Sequence, residues 1–253
     1  MTHSVVIEAC VDSIDSAIEA ESGGADRVEL CGELLQGGVT PSAGLIGGVC
    51  DRIRIPVFVL VRPRTGDFLY DDDELDVMLR DIEVIRSLSV EGIVIGALTR
   101  DGDIDIGTLY TLIAAAGDMN VTFHRAFDFV KDQSVALEAL IELGVDRVLT
   151  SGGAPSALEG AAALAELVEQ GGTDLTILAG GSINASNVAE VVRLSGVKEV
   201  HVRAAASVKS EMTYLPPNVT LARLTPPGDY ERMVTRAEEM RRVVSALGSA
   251  SSG

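Results

Sequence analysis

The amino-terminal part of the sequence contains the pattern Glu-x-Cys twice, each time at the end of a short β-branched run. Glu8 and Cys10 form the first copy, and Glu29 and Cys31 form the second. Side chains two residues apart in a strand lie on the same face, and neighbouring strands are about 4.8 Å apart. If the two runs are adjacent strands, two carboxylates and two thiols lie close together.

The thiols have two interpretations. Cu(I) prefers soft ligands, so Cys10 and Cys31 could together form a two-coordinate copper site. Each is also a small apolar residue of a kind that is often buried in a core. Cys50 is the third and last cysteine and is expected to pack within a helix. An odd number of cysteines in a chain of this length does not indicate a disulfide framework.

Arginine side chains lie at the ends of the third and fifth strand-like runs. Arg62 closes the third run, Arg64 follows it, Asp67 lies in the loop beyond, and Arg125 follows the fifth run. A guanidinium group can hold a carboxylate or a phosphate through two parallel hydrogen bonds. Because the chain as a whole is acidic, arginines at the strand ends favour a small anionic ligand.

Acid–base chemistry is a further possibility at the same strand ends. His124 with Glu8, Glu29 or Asp128 could act as a general acid–base set. Together with His201, the same histidine could instead hold a metal ion.

A structural interpretation of these charges stays open beside the chemical one. Glu8 and Glu29 could be neutralised by Arg62 and Arg125 in a buried ion-pair network. No lysine falls on an inward-facing strand end. Schiff-base chemistry of the kind that a lysine performs is therefore not expected.

Glycine-rich loops and further polar residues follow the last three runs. Ser151 begins one loop, Gly180 and Gly181 begin the next, and His201 and Arg203 stand at the end of the eighth run. Phosphate sites in barrels commonly lie near strands seven and eight, where backbone N–H groups approach the anion. The loops are equally consistent with tight turns that bind nothing.

The elements that position these residues alternate along the chain. Short β-branched runs are followed by longer segments with apolar residues at helical spacing. Eight strands with eight helical partners predict an α/β fold, a single-domain TIM-type (β/α)8 barrel, in which inward residues at the carboxyl ends of strands form the site. The predicted strands are Val5–Cys10, Arg27–Cys31, Val57–Arg62, Gly92–Ile95, Val121–His124, Arg147–Thr150, Thr176–Ala179 and Glu199–Val202.

An internal repeat supports the barrel. The motif Gly-x-Asp-Arg-Val begins at Gly24 and again at Gly144, an offset of four βα units or half a barrel. The acidic run at 71–74 precedes a helix and is expected to cap its first turn. We expect one domain over 1–247 and a disordered tail over 248–253.

The charge balance limits the classes of partner that the protein is expected to bind. With 38 acidic and 20 basic residues, the formal net charge is -18, which repels phosphate backbones and anionic lipids. Neither nucleic acid nor membrane partners are expected. The first residues contain no basic segment followed by an apolar stretch, and nowhere do 18 apolar residues run together. These features predict a cytoplasmic protein.

Several motifs resemble the CutC family of copper homeostasis proteins, in order and over most of the chain. They are found at residues 24–31 (GADRVELC), 37–42 (GGVTPS), 62–68 (RPRTGDF), 122–128 (TFHRAFD) and 149–152 (LTSG). The resemblance implies a cytosolic TIM-type barrel, often a homo-oligomer, associated with copper homeostasis and copper ion binding. It assigns the mouth of the barrel to Glu8, Glu29, Cys31, Arg62, Arg64, Asp67, His124, Arg125, Asp128 and His201.

The sequence departs from the family pattern after the eighth strand. Where the family has a small residue and then Ser-Ala, this chain has Val202, Arg203 and Ala204, so a cation replaces a hydroxyl. Two hypotheses follow: a copper-binding homeostasis protein with Cys31 and Cys10 as ligands, or an enzyme of unknown reaction acting on a small anionic metabolite. A barrel that binds a regulatory ligand without chemistry is a third.

Overall fold

The computed structural model describes residues 5–221 and 227–250. Eight parallel strands pair in chain order, and the first pairs with the eighth, so the sheet closes into the predicted (β/α)8 barrel. The barrel strands are β1 (Val6–Val11), β2 (Arg27–Leu30), β3 (Val57–Leu60), β4 (Gly92–Ile95), β5 (Asn120–Phe123), β6 (Arg147–Thr150), β7 (Thr176–Ala179) and β8 (Glu199–Val202).

Seven helices connect successive strands, and an eighth ends the described chain. They are α1 (Ile14–Gly23), α2 (Ala43–Cys50), α3 (Asp72–Arg86), α4 (Ile106–Ala116), α5 (Gln133–Glu142), α6 (Ala161–Gly171), α7 (Val188–Ser195) and α8 (Ala237–Ala250). None of the helices in the described ranges has the length and the apolar composition that a membrane span requires. Helix α8 continues beyond the domain end expected at 247, and residues 251–253 of the expected tail lie outside the description.

Local side-chain caps fix where several helices begin. The Ser13 hydroxyl accepts a hydrogen bond from the backbone N–H of Ser16 at 3.2 Å. At the start of α3, the Asp71 carboxylate accepts from the N–H of Glu74, and the Glu74 carboxylate accepts from the N–H of Asp71. This reciprocal pair satisfies two N–H groups that a helix start otherwise leaves free. The structural role predicted for the acidic run is confirmed.

The repeated Gly-x-Asp-Arg-Val motif makes equivalent contacts in both halves of the barrel. Asp26 accepts a hydrogen bond from the backbone N–H of Ile7 at 2.7 Å, and Asp146 accepts one from Val121 at 2.7 Å. Each aspartate therefore ties the turn that enters one strand to the strand before it. The motif thus fixes the start of two adjacent strands in each half-barrel.

One pair of strands was not predicted. Strands β9 (Ala205–Lys209) and β10 (Glu231–Thr235) form a two-stranded antiparallel sheet between β8 and α8. Only the last two residues of β10 are buried, and no residue of β9 is. The strands lack a regular alternation of buried and exposed residues, and that alternation is the pattern by which a strand is found in a sequence.

The interior of the barrel contains both apolar and charged side chains. Arg27 donates to Glu8 at 2.6 Å and also to Glu199, which accepts a second bond from Arg147 at 2.6 Å. Both guanidinium groups lie near the Phe58 ring, with their carbons 5.4 and 5.3 Å from its centroid. The two arginines of the repeated motif therefore meet around one shared carboxylate inside the barrel.

Removal of the shared carboxylate should destabilise the fold. We expect Glu199→Ala to lower the free energy of unfolding by about 3 to 5 kcal/mol, because it removes the carboxylate partner of the largely buried Arg147 and leaves the buried Arg27 with Glu8 alone. Chemical denaturation followed by circular dichroism measures the change. Glu190→Ala is the matched control, since Glu190 is exposed and lies 3.7 Å from Arg193. Equal stability of the two variants would contradict the role of Glu199.

Candidate functional site

A cavity of about 490 Å³ opens at the carboxyl ends of the barrel strands. This volume lies within the range of small-molecule sites, about 300 to 1,000 Å³. Of the residues predicted from the sequence, those on its wall are Cys10, Glu29, Cys31, Arg62, His124, Arg125, Gly181, His201 and Arg203. Those that do not line it are Glu8, Arg64, Asp67, Asp128, Ser151 and Gly180.

The two thiols and one glutamate form a buried cluster on the cavity wall. The Sγ atoms of Cys10 and Cys31 are 4.0 Å apart, and Cys10 Sγ is 3.4 Å from Glu29 Oε2. A hydrogen bond from the Cys31 thiol outweighs burial and holds the pKa of Cys10 well below its usual range. Burial and the neighbouring Cys10 raise the pKa of Glu29, so its protonated form is favoured beside a thiolate.

His201 lies between the two glutamates that the Glu-x-Cys pattern places inside the barrel. Its Nδ1 is 2.7 Å from Glu8 Oε1, and its Nε2 is 3.6 Å from Glu29 Oε2. Burial alone would lower the pKa of His201, but Cys10, Glu8 and Glu29 together raise it well above its ordinary value. The ring is therefore an imidazolium.

Glu8 is ionised for the complementary reason. Burial alone would raise the pKa of this carboxyl, but hydrogen bonds from His201 and Arg27 lower it to about 2. The prediction that Arg62 and Arg125 neutralise the glutamates is wrong. Arg27 is the register partner of Glu8 on β2, so its short distance to the carboxylate follows from the pairing of the strands.

Arg62 is held by backbone carbonyl groups. Its NH1 donates to the carbonyl oxygens of Gly37 and Gly38 at 3.2 and 2.8 Å, and its NH2 donates to that of Gly66 at 2.7 Å. The guanidinium carbon lies 5.0 Å from the centre of the Phe68 ring. The side chain therefore joins the loop after β2 to the loop after β3.

His124 is neutral, and its tautomer is fixed locally. Its Nδ1 accepts a hydrogen bond from the backbone N–H of Ala126 at 3.1 Å, so the proton of the neutral ring resides on Nε2. Burial, with the nearby Arg62, lowers the pKa of the ring to about 3. The Nε2 atom is buried and has no hydrogen-bond partner in the described structure. His124 is thus a neutral residue of the cavity wall with one unused N–H donor, and it is not a base.

The acid–base set expected around His124 is not assembled. Within the described residues, His124 makes no hydrogen bond or ion pair with Glu8, Glu29 or Asp128. The groups whose ligand atoms lie within 4.8 Å of one another include His201 but not His124. The alternative in which His124 and His201 together hold a metal ion stays a prediction from the sequence.

Asp128 is fully engaged in holding the loop after β6. It accepts hydrogen bonds from the Thr150 hydroxyl at 2.6 Å and from the backbone N–H groups of Ser151 and Gly153 at 3.0 and 3.1 Å. It also pairs with Arg125 at 2.7 Å. These hydrogen bonds hold the loop after β6 in position.

Arg64 and Asp67 form a surface network beside the cavity. Arg64 contacts Asp67 at 3.0 Å and also pairs with Glu74, which hydrogen-bonds the Asp71 cap of α3. The side chain of Asp67 is 74% exposed. The predicted anion contact from Arg64 is therefore not supported by its position, since the guanidinium group is occupied by carboxylates.

The loops after β7 and β8 form the rim of the cavity. A Cβ atom at Gly180 would lie 2.5 Å from Leu149 Cδ1, so close packing explains this glycine. Gly181 has a φ of 109°, a conformation that favours glycine. Arg203, the residue in which the chain departs from the family pattern, lies 3.6 Å from Asp12 and lines the cavity.

Sequence reasoning missed two residues that organise the site. Arg27 neutralises Glu8, and the repeated Gly-x-Asp-Arg-Val motif was the pattern that could have indicated it. Phe68 lies beside both Arg62 and His124, with its ring centre 4.9 Å from that of the histidine. Its position in an irregular loop gave no periodicity from which an inward direction could be predicted.

Among the residues that the structure describes, two groups of side chains could hold a metal ion. Cys10, Cys31 and Glu29 form the first, and Glu8, Glu29 and His201 form the second. Soft metals such as Cu(I) prefer the thiolates of the first group. The second group contains a protonated histidine, so a metal there must displace a proton.

The fold and the cavity define a class: a (β/α)8 barrel with a small-ligand site at the carboxyl ends of its strands. The family model described as the CutC family matches residues 5–206. The chain belongs to the CutC family.

Similar proteins come from bacteria and animals. A family protein CutC of Mesorhizobium japonicum is 44% identical over 97% of this chain and 95% of that protein. The copper homeostasis protein cutC homolog of Homo sapiens is 43% identical over 94% of this chain and 88% of that protein. The crystal structure of CutC from Streptococcus agalactiae has a TM-score of 0.75 at 32% identity, covering 78% of this chain and 98% of that one.

The tautomer of His124 can be tested directly. We expect histidine ¹⁵N NMR to show a neutral ring protonated on Nε2 that does not titrate between the ordinary value of 6.5 and about 3, because the ring is buried beside a guanidinium group. His124→Asn identifies the resonance and preserves an acceptor for the Ala126 N–H. Titration near 6.5, or a proton on Nδ1, would contradict the assignment.

The same low pKa should appear as acid sensitivity. The unfolded chain binds a proton at His124 as pH falls below 6.5, whereas the folded chain does so only near 3. The free energy of unfolding should therefore decrease as the pH is lowered from 6.5 to about 3. Denaturation at several pH values should show a steeper loss for the wild type than for His124→Asn. Parallel curves would exclude a contribution from this ring.

Proposed function

We propose that this protein binds Cu(I) through the thiols of Cys10 and Cys31, as cargo in copper homeostasis. The observation that carries the proposal is the 4.0 Å separation of the two Sγ atoms on the wall of one cavity. Relatives from mouse and human are named copper homeostasis protein cutC homologs. Thiolates are among the ligands that select Cu(I) over harder cations.

The distances support a shared metal ion. Two metal–sulfur bonds of about 2.3 Å, the length found at zinc thiolate sites, span at most about 4.6 Å. The observed separation of 4.0 Å lies within this reach. Glu29 offers an oxygen close to both sulfur atoms. The two thiols therefore need little movement to hold one ion.

The electrostatics of the cluster also favour a cation. Cys10 is the thiol whose pKa is lowered, so one ligand is readily available as a thiolate. The hydrogen bond to Cys10 raises the pKa of Cys31, so copper must displace a proton from this second sulfur. Both thiols are buried, and such a site is suited to retaining copper more than to rapid exchange from a surface.

A competition titration tests the copper site. Reduced apo-protein is titrated with Cu(I) against a chelator of known affinity. We expect one ion per chain for the wild type, and binding at least about tenfold weaker for Cys10→Ser and for Cys31→Ser, because each loses a soft ligand.

Cys50→Ser is the matched control for this titration. Cys50 is a free, half-buried thiol at the end of α2 and does not line the cavity. This variant should compete as the wild type does. If the wild type does not compete with the chelator, or if Cys50→Ser loses as much affinity as the cavity variants, the thiol pair is not the copper site.

Cytoplasmic location, homo-oligomeric assembly and the lack of nucleic acid partners stay predictions from the sequence.

A further inference from the structure

We infer that the same cavity binds a small organic oxyanion, a carboxylate or a phosphate ester, through Arg62 and His124. The inference does not depend on copper. It rests on a buried cation without an anionic partner and on two buried N–H donors without acceptors, all on one stretch of the cavity wall.

The first observation is the charge of Arg62. Only 5% of the residue is exposed, and its described partners are the carbonyl groups of Gly37, Gly38 and Gly66. Within the described ranges, no carboxylate lies within salt-bridge distance of this guanidinium group. A buried charge is unfavourable unless an opposite charge compensates it. The other interior arginines, Arg27 and Arg147, each have a carboxylate partner.

The second observation is a pair of unused donors. Arg62 Nε and His124 Nε2 are buried side-chain nitrogens without a hydrogen-bond partner in the described structure. Both residues line the cavity. The hydroxyl of Tyr70 is the third such atom; it lies near Arg62, which opposes the rise of its pKa by burial to about 12, and Tyr70 does not line the cavity.

The two donors belong to one subsite. The Phe68 ring lies beside both residues, with its centre 5.0 Å from the guanidinium carbon and 4.9 Å from the imidazole centre. Since Arg62 carries no acceptor and the only acceptor of neutral His124 is used by Ala126, the subsite offers N–H groups alone. A ligand that fits it must supply acceptor oxygens, and the uncompensated charge favours an anion.

The other residues of the cavity wall indicate what the remainder of the ligand, beyond its anionic group, is like. Arg125 and Arg203 add positive charge at the rim, although each is near an aspartate. Leu34, Phe129 and Ile183 supply apolar surface. In a chain with a net charge of -18, a cavity with three arginines attracts anions locally. The mixture of charge and apolar surface fits a small organic acid or phosphate ester better than a bare inorganic ion.

Calorimetric titration of the full-length, reduced, copper-free protein tests the subsite. The probes are inorganic phosphate and malonate, each at constant ionic strength. We expect saturable binding of at least one probe, and the tighter of the two identifies the anionic group. Arg62→Lys keeps the charge but removes the Nε–H, and His124→Asn keeps the Ala126 hydrogen bond but removes the Nε2–H. Each should weaken binding about 10- to 100-fold, since one charge-assisted hydrogen bond is lost.

Control variants separate this inference from the copper proposal. Arg80→Gln removes the same charge from an exposed position on α3 and should bind the probes as the wild type does. The double variant Cys10→Ser, Cys31→Ser should still bind the anion, while His124→Asn should still bind Cu(I). If Arg62→Lys fails to fold, His124→Asn alone decides. The absence of saturable binding of both probes, or unchanged affinity in His124→Asn, would overturn the inference.

Discussion

The carboxylate of Glu8 is the group on which the interior of the barrel depends. One oxygen accepts from Arg27 and the other from His201, and Arg27 in turn shares Glu199 with Arg147. A buried carboxylate is tolerated only when its charge is compensated and its oxygens are hydrogen-bonded. The network therefore connects strands at opposite ends of the sequence and fixes the position of the histidine at the cavity.

The two histidines of the cavity wall have different charges because their surroundings differ. His201 lies among carboxylates and thiols and is protonated, whereas His124 lies beside Arg62 and is neutral. Each state follows from the nearest charges once burial has removed the screening by water. The cavity wall is divided accordingly. Soft and anionic ligands cluster around Cys10, and unpaired donors cluster around His124.

Much of the fold was predictable because its evidence is local. Strand and helix periodicity, the capping residues before α3 and the repeated motif each depend on residues close together in the chain. The pair β9 and β10 was not predictable, since these strands bury only two residues and lack a regular alternation of buried and exposed positions. The cluster of Cys10, Cys31 and Glu29 was also predictable, because strand pairing fixes which inward side chains are neighbours.

The sequence by itself determined that carboxylates, thiols, arginines and histidines lie together at the carboxyl ends of the barrel strands. The reason is that alternation along a strand sets the direction of each side chain. Only the tertiary structure decided which charges pair. Arginine side chains are long enough to reach several partners, and Glu8 and His201 are 193 residues apart in the chain. The free donor of His124 was also decided by the tertiary structure, because burial beside Arg62 favours the neutral ring and the Ala126 N–H fixes its proton on Nε2. The spacing of residues in a sequence contains no information about which of several charged side chains pairs with which. The distances between them across the folded barrel decide the pairing.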